Sequence, residues 1–138
     1  MKKTISLLLA LCILAFAALP AFAVTNHITV EPLRYTNIMN PQVVIQRSGT
    51  AGVCTGSVNI GSAATTTMVL YLQISYDDGL TYKDYYLVAS EDFSGSGSFK
   101  ISGSKQYLPS NYAYRAALYI SVYDENGRLI DHAEKYSS

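Results

Sequence analysis

The chain reads as an all-β protein, a two-sheet antiparallel sandwich of seven to eight strands, and three observations carry that reading. Apolar residues fall on every second position in several segments, and no stretch sustains a helical repeat. Those segments are bounded by Gly, Ser, Asn, Asp or Pro. Of the 138 residues, 115 follow Ala23, enough for one domain that buries a core without a metal or several disulfides.

Taken in order, residues 1–23 read as a signal peptide: a basic start at Lys2 and Lys3, an apolar run from Ile5 to Leu19, and the small-x-small pattern Ala21-Phe22-Ala23. The run is short for a membrane span, so the mature chain, residues 24–138, is expected to be secreted, with no membrane contact after cleavage. Strands are then expected near Ile28–Glu31, Gln42–Arg47 and Gly52–Ile60. Met68–Ser75 places Met68, Leu70, Leu72 and Ile74 on a core face, with Val69, Tyr71, Gln73 and Ser75 opposite. Further strands are expected over Tyr82–Ala89 and Ser98–Ser102. Tyr112–Tyr123 is the longest candidate, with Tyr114, Ala116, Leu118, Ile120 and Val122 inward and Arg115, Tyr119, Ser121 and Tyr123 outward. Arg128–Tyr136 closes the set, but Leu129-Ile130 breaks its alternation and leaves the direction of His132 open. Asp77-Asp78-Gly79 and Asp124-Glu125-Asn126-Gly127 suit hairpins, whereas Asn40-Pro41 and Leu108-Pro109-Ser110-Asn111 suit bends between sheets. Ser94-Gly95-Ser96-Gly97-Ser98 is expected as a flexible loop.

Composition narrows the function. All 10 Asp and Glu follow Ala23 but only 8 of the 10 Lys and Arg do, a balance of −2 with no basic block to follow a phosphate backbone, so no nucleic-acid partner is expected. Cys54 is the one cysteine after Ala23, which leaves no intramolecular disulfide in the mature chain. All 12 tyrosines lie in that part, and tryptophan is absent.

Cys54 on an early strand, Leu72-Gln73 where a Trp precedes a polar residue, and Tyr114-Arg115-Ala116 where Tyr-x-Cys lies resemble an immunoglobulin-like sandwich with Ala116 in place of the second cysteine. The resemblance implies that Cys54 is a buried small hydrophobe near Ala116, and that Tyr114 is a corner tyrosine bonding backbone through its hydroxyl. The order of a short leader, Arg34-Tyr35-Thr36, Gly52-Val53-Cys54-Thr55-Gly56, Leu72-Gln73 and Tyr114-Arg115-Ala116 before a terminal hairpin resembles small secreted proteins of unknown function from Gram-positive bacteria. That family implies no activity, catalytic residue or cofactor.

Ser75-Tyr76-Asp77-Asp78-Gly79-Leu80-Thr81-Tyr82 resembles the Asp-box, S-x-D-x-G-x-T-W, with Tyr82 in place of Trp. A single copy implies a structural turn: the Asp77 carboxylate accepts turn amides, Gly79 supplies an unusual φ and Tyr82 packs beneath. Nucleophilic catalysis would need a nucleophile, a base and a group orienting that base, and neither His27 nor His132 lies in a nucleophile motif. Cys54 lies in an apolar alternation with no nearby cation, the setting of an inert thiol. Asp77, Asp78, Asp84, Asp124, Glu125 and Asn126 do not follow the twelve-residue calcium-loop spacing. No catalytic residue, metal or cofactor is therefore expected.

The outward tyrosines are the strongest functional signal. In the immunoglobulin-like arrangement the third, sixth and seventh strands share a sheet, which puts Tyr71, Gln73, Arg115, Tyr119 and Tyr123 on one outer face. Tyrosine offers rigid contact area at low entropic cost and suits protein interfaces or sugar faces, although aromatic cross-strand pairs also simply stabilise sheets. The expected function is a binding or self-associating module whose partner is an extracellular protein or glycan, or a second copy. The alternative is a small glycan-active hydrolase or lyase working through carboxylates and tyrosines.

Overall fold

The computed structural model describes residues 37–138. Expectations for the signal peptide, for a strand at Ile28–Glu31 and for Arg34-Tyr35-Thr36 lie outside them. The described residues form seven strands: β1 (Ile38–Ser48), β2 (Ala51–Ile60), β3 (Thr65–Ser75), β4 (Lys83–Ser94), β5 (Gly97–Lys105), β6 (Ala113–Tyr123) and β7 (Leu129–Tyr136). They make two antiparallel sheets, β1-β2-β5 and β4-β3-β6-β7, packed as a sandwich. In a constant-type immunoglobulin domain the fourth strand joins the sheet of the first two. Here β4 pairs with β3 instead, which widens the sheet that carries the tyrosines to four strands.

Alternation decides which side chains meet between the sheets. Met68, Leu70 and Leu72 of β3 and Ala116, Leu118, Ile120 and Val122 of β6 are all buried, facing Val43, Cys54, Val58, Ile60 and Ile101 of the other sheet. Tyr114 is half-buried at the end of this layer, and its hydroxyl donates to the Pro109 carbonyl at 2.9 Å, the corner bond that the resemblance implies. Leu108 to Asn111 carries the chain from β5 in one sheet to β6 in the other, as the turn chemistry implies.

The sandwich closes where small residues let it. A Cβ at Gly56 would stand 2.8 Å from Leu118 Cδ1, and one at Gly103 would stand 2.7 Å from Val88 Cγ1 and 2.8 Å from the Val88 carbonyl oxygen. Sequence reading differs from the structure at two connections. Asn40-Pro41 is a bulge inside β1 and not a bend between sheets: the register passes from Met39↔Asn59 to Gln42↔Ser57, and Asn40 takes φ 50°. A proline is tolerated there because β1 is an edge strand. Between Ser94 and Gly97 the chain crosses between the sheets in only two residues, with Gly95 at φ 76° donating its N–H to the Ala64 carbonyl.

Thr66 is fully buried on the inner side of β3, and its hydroxyl has no partner among the described residues. An orphaned buried hydroxyl costs more than an isosteric methyl. Thr66→Val is therefore expected to raise stability by about 1 kcal/mol, read as a higher denaturation midpoint at unchanged slope. A lower midpoint would show that the hydroxyl holds a bond the structure does not contain.

Candidate functional site

The outer face of the β4-β3-β6-β7 sheet is built by register. Gln73 of β3 stands directly opposite Asp84 of β4 on one side and Arg115 of β6 on the other. The Gln73 side chain is 5% exposed and its amide is used at both ends: Oε1 accepts from Arg115 Nε at 2.7 Å, while Nε2 donates to Asp84 Oδ1 at 2.7 Å and to the Tyr119 hydroxyl at 3.3 Å. A buried amide is tolerated only when satisfied in this way. The Arg115 guanidinium lies between two rings, 4.2 Å from the centroid of Tyr82 and 4.2 Å from that of Tyr136. Tyr136 meets Tyr119 edge-on at 6.5 Å, and Tyr119 meets Tyr71 edge-on at 6.0 Å. Ala117, between Arg115 and Tyr119, is wholly covered.

Four of the five residues expected here are thus one contiguous cluster: Tyr71, Gln73, Arg115 and Tyr119. Tyr123 shares the face but sits at the far end of β6, opposite Thr65 and Leu129, with no ring or side-chain hydrogen bond to the cluster. Tyr82, Asp84, Tyr136 and Glu134 complete the site and were missed by sequence reasoning. Glu134 accepts from the Tyr136 hydroxyl at 2.6 Å, which holds its carboxyl below the usual range and raises the phenol of Tyr136 above its own. Burial, with Asp84 as the second cause, raises the phenol of Tyr119.

His132 faces outward beside this cluster. Its Nδ1 is 3.2 Å from Ser121 Oγ, and its Nε2 is 3.6 Å from Glu134 Oε1. Ser, His and carboxylate meet here on an open strand surface. β6 is an inner strand whose N–H groups are committed to β3 and β7, so the backbone beside Ser121 offers no donor for a developing oxyanion. Cys54 is buried in the core, where desolvation pushes its thiol up to about 11.

The turn before Tyr82 is a closed hydrogen-bonded device. Asp77 Oδ1 accepts from Ser75 Oγ at 2.7 Å and from the Thr81 amide at 2.8 Å, its Oδ2 accepts from the Thr81 hydroxyl, and Ser75 Oγ accepts from the Gly79 amide at 2.8 Å. Gly79 has φ 89°, and the Tyr82 hydroxyl lies beneath it. These donors, the Thr81 hydroxyl first, lower the Asp77 carboxyl to about 2. Because the folded group titrates below its unfolded value of about 3.9, its contribution is complete above that pH and is lost as pH falls through 2. The acid limb of the unfolding profile is therefore expected to flatten between about pH 4 and 2 in Asp77→Asn. An unchanged limb would assign the acid sensitivity elsewhere.

No protein-family model matches the chain, and no curated protein matches it. Among solved structures it is similar to part of an alkylpurine DNA glycosylase, AlkC, from Pseudomonas fluorescens, bound to DNA containing an abasic site analogue. The identity is 13%, over 73% of this chain and 30% of that one, with a TM-score of 0.37. The chain spans less than a third of that protein's length, and a likeness at this level carries no argument about chemistry.

Proposed function

We propose that this is an exported, non-catalytic binding module that engages an extracellular protein or glycan, or a second copy of itself, through the tyrosine-lined face of its four-stranded sheet. The observation that carries the reading is the Arg115 guanidinium, held between Tyr82 and Tyr136 and pinned through Nε by the buried Gln73. A cation held against two rings and by one side-chain hydrogen bond loses little freedom when a partner arrives, the condition under which contact area becomes affinity. Tyrosine and arginine are the residues enriched at interface centres. Export rests on residues 1–23, and a Gram-positive source rests on the family resemblance alone.

The test is Tyr71→Ala combined with Tyr119→Ala. It removes the edge-to-face pair while leaving the core alternation of β3 and β6 untouched. Light scattering behind size exclusion over a hundredfold concentration range, with binding assays against candidate glycans and proteins, is expected to show at least tenfold weaker association, about 1.4 kcal/mol or more, with an unchanged circular dichroism spectrum. Full association by a folded double variant would sink the proposal.

A further inference from the structure

We infer that the Asp84–Gln73–Arg115 row is a binding site for a neutral saccharide, one sugar hydroxyl accepting from Arg115 while another donates to Asp84. The inference rests on the tyrosine face being a binding surface and specifies what that surface takes. It starts from the hydrogen-bonding capacity left over in the row. A guanidinium has five N–H donors, and Gln73 takes the one on Nε. Among the described residues the terminal amino groups of Arg115 have no hydrogen-bond acceptor, and no carboxylate forms an ion pair with it. The guanidinium carbon lies 4.2 Å from the ring centroids of both Tyr82 and Tyr136, so the terminal amino groups are the hydrogen-bonding part of Arg115 left for a ligand. Asp84 gives Oδ1 to Gln73 and keeps Oδ2 without a partner among the described residues.

The two ends of a single buried amide therefore hold a donor edge and an acceptor oxygen on one surface. Asp84 and Arg115 are the direct cross-strand neighbours of Gln73, so about two strand spacings, roughly 10 Å, separate their backbones, and both side chains converge on the amide between them. A ligand that satisfies both must accept at one position and donate at another, which the several hydroxyls of a saccharide do. The Tyr71 and Tyr119 rings beside the row supply the aromatic surface on which the C–H face of a sugar packs.

Charge decides between this ligand and an anion. Arg115 alone would suit a carboxylate or phosphate gripped through its fork. Asp84 and Glu134 flank it on the same face, with Asp92 further along β4 bonded to Thr67, so the formal carboxylate charge outweighs Arg115. His132, the other basic side chain in contact with this cluster, lies against Glu134. An anion approaching Arg115 would meet more negative than positive charge, whereas a neutral polyol meets complementary donors and acceptors.

The test is calorimetric titration of the full mature protein with cellohexaose, xylohexaose, mannohexaose and chitohexaose, beside hexagalacturonate as the anionic comparison. At least one neutral hexasaccharide is expected to bind with a dissociation constant of about 0.1–1 mM. Its affinity should hold between about 50 and 500 mM salt, because no net charge is exchanged. Arg115→Lys keeps the charge but loses the fork and the stacking, and Asp84→Asn loses the acceptor; each should weaken binding at least tenfold. Asp92→Asn, on the same face but outside the row, should bind as the parent does, and unfolding midpoints for every variant separate lost contacts from lost fold. No binding of any neutral hexasaccharide up to about 5 mM, or salt-sensitive binding of hexagalacturonate alone, overturns the inference. If Tyr71→Ala with Tyr119→Ala still abolishes association with a protein partner or a second copy, the tyrosine-face reading survives that loss. If association is also unaffected, both fall.

Discussion

Gly103→Ala is expected to destabilise the protein by about 3 kcal/mol, at the upper end of what overpacking costs. The added methyl would meet Val88 through the carbonyl oxygen at 2.8 Å as well as through Cγ1 at 2.7 Å, and backbone has no rotamer with which to retreat. Gly103 lies on β5 and Val88 on β4, the neighbouring edges of the two sheets, so relief requires the sheets to part along that seam. Gly56→Ala provides the contrast. There the neighbours within 3.3 Å are all Leu118 side-chain atoms, which can shift, so the expected cost is nearer 1 kcal/mol. Chemical denaturation reads both as midpoint shifts at constant slope. Equal costs, or none at Gly103, would mean that the β4–β5 seam yields as readily as a side chain and that its tight approach does not help close the sandwich.

What the sequence made legible, and what it did not, follows from where the period of two survives. β3 and β6 are inner strands buried on one face, and their alternation reads directly into the core and into the Tyr71–Gln73 and Arg115–Tyr119 pairs. β7 was unreadable because of one residue: Val122 pairs with Asp131 and Tyr123 with Leu129, so Ile130 is an extra residue in the ladder. Beyond that bulge the alternation resumes, placing His132, Glu134 and Tyr136 outward and Ala133 in the core. β4 carries two such breaks, skipping Val88 and Tyr85 against β3, so no single alternation runs through Tyr82–Ala89, and the strand itself spans Lys83–Ser94.

Asp84 was nonetheless available. Counting outward from the Asp78-Gly79 turn pairs Ile74 with Lys83 and Gln73 with Asp84 before the first bulge intervenes. Tyr82 was assigned to the turn, where its hydroxyl does lie, but its ring also supports Arg115. A side chain with two roles is not separable by pattern. The turn around Asp77 thereby gains a consequence for the tyrosine face: by fixing Gly79 and Thr81 it fixes the ring on which the guanidinium rests.

Arg115→Ala is the second large effect, an expected loss of about 2–3 kcal/mol from a residue on the outer surface, where most substitutions cost under half a kcal/mol. Two ring contacts contribute about 0.5–1 kcal/mol each at a partly exposed site. The remainder comes from Gln73, whose Oε1 loses a charged donor while its Nε2 stays committed to Asp84 and Tyr119. Gln73→Leu should cost less than Arg115→Ala, because Asp84 and the guanidinium can both turn to water once the amide is gone. The double variant should then fall short of the sum by about 1 kcal/mol, the signature of a shared bond. Strict additivity would show that Arg115 acts through its rings alone and that the amide does not hold it. Arg115→Lys distinguishes architecture from recognition: an ammonium keeps much of the charge–ring attraction but has no planar fork. A variant that retains most of the stability and loses binding would separate the two roles of this side chain, whereas a proportional loss of both would reduce the Arg115 stack to a structural brace between β6, β7 and the turn before β4.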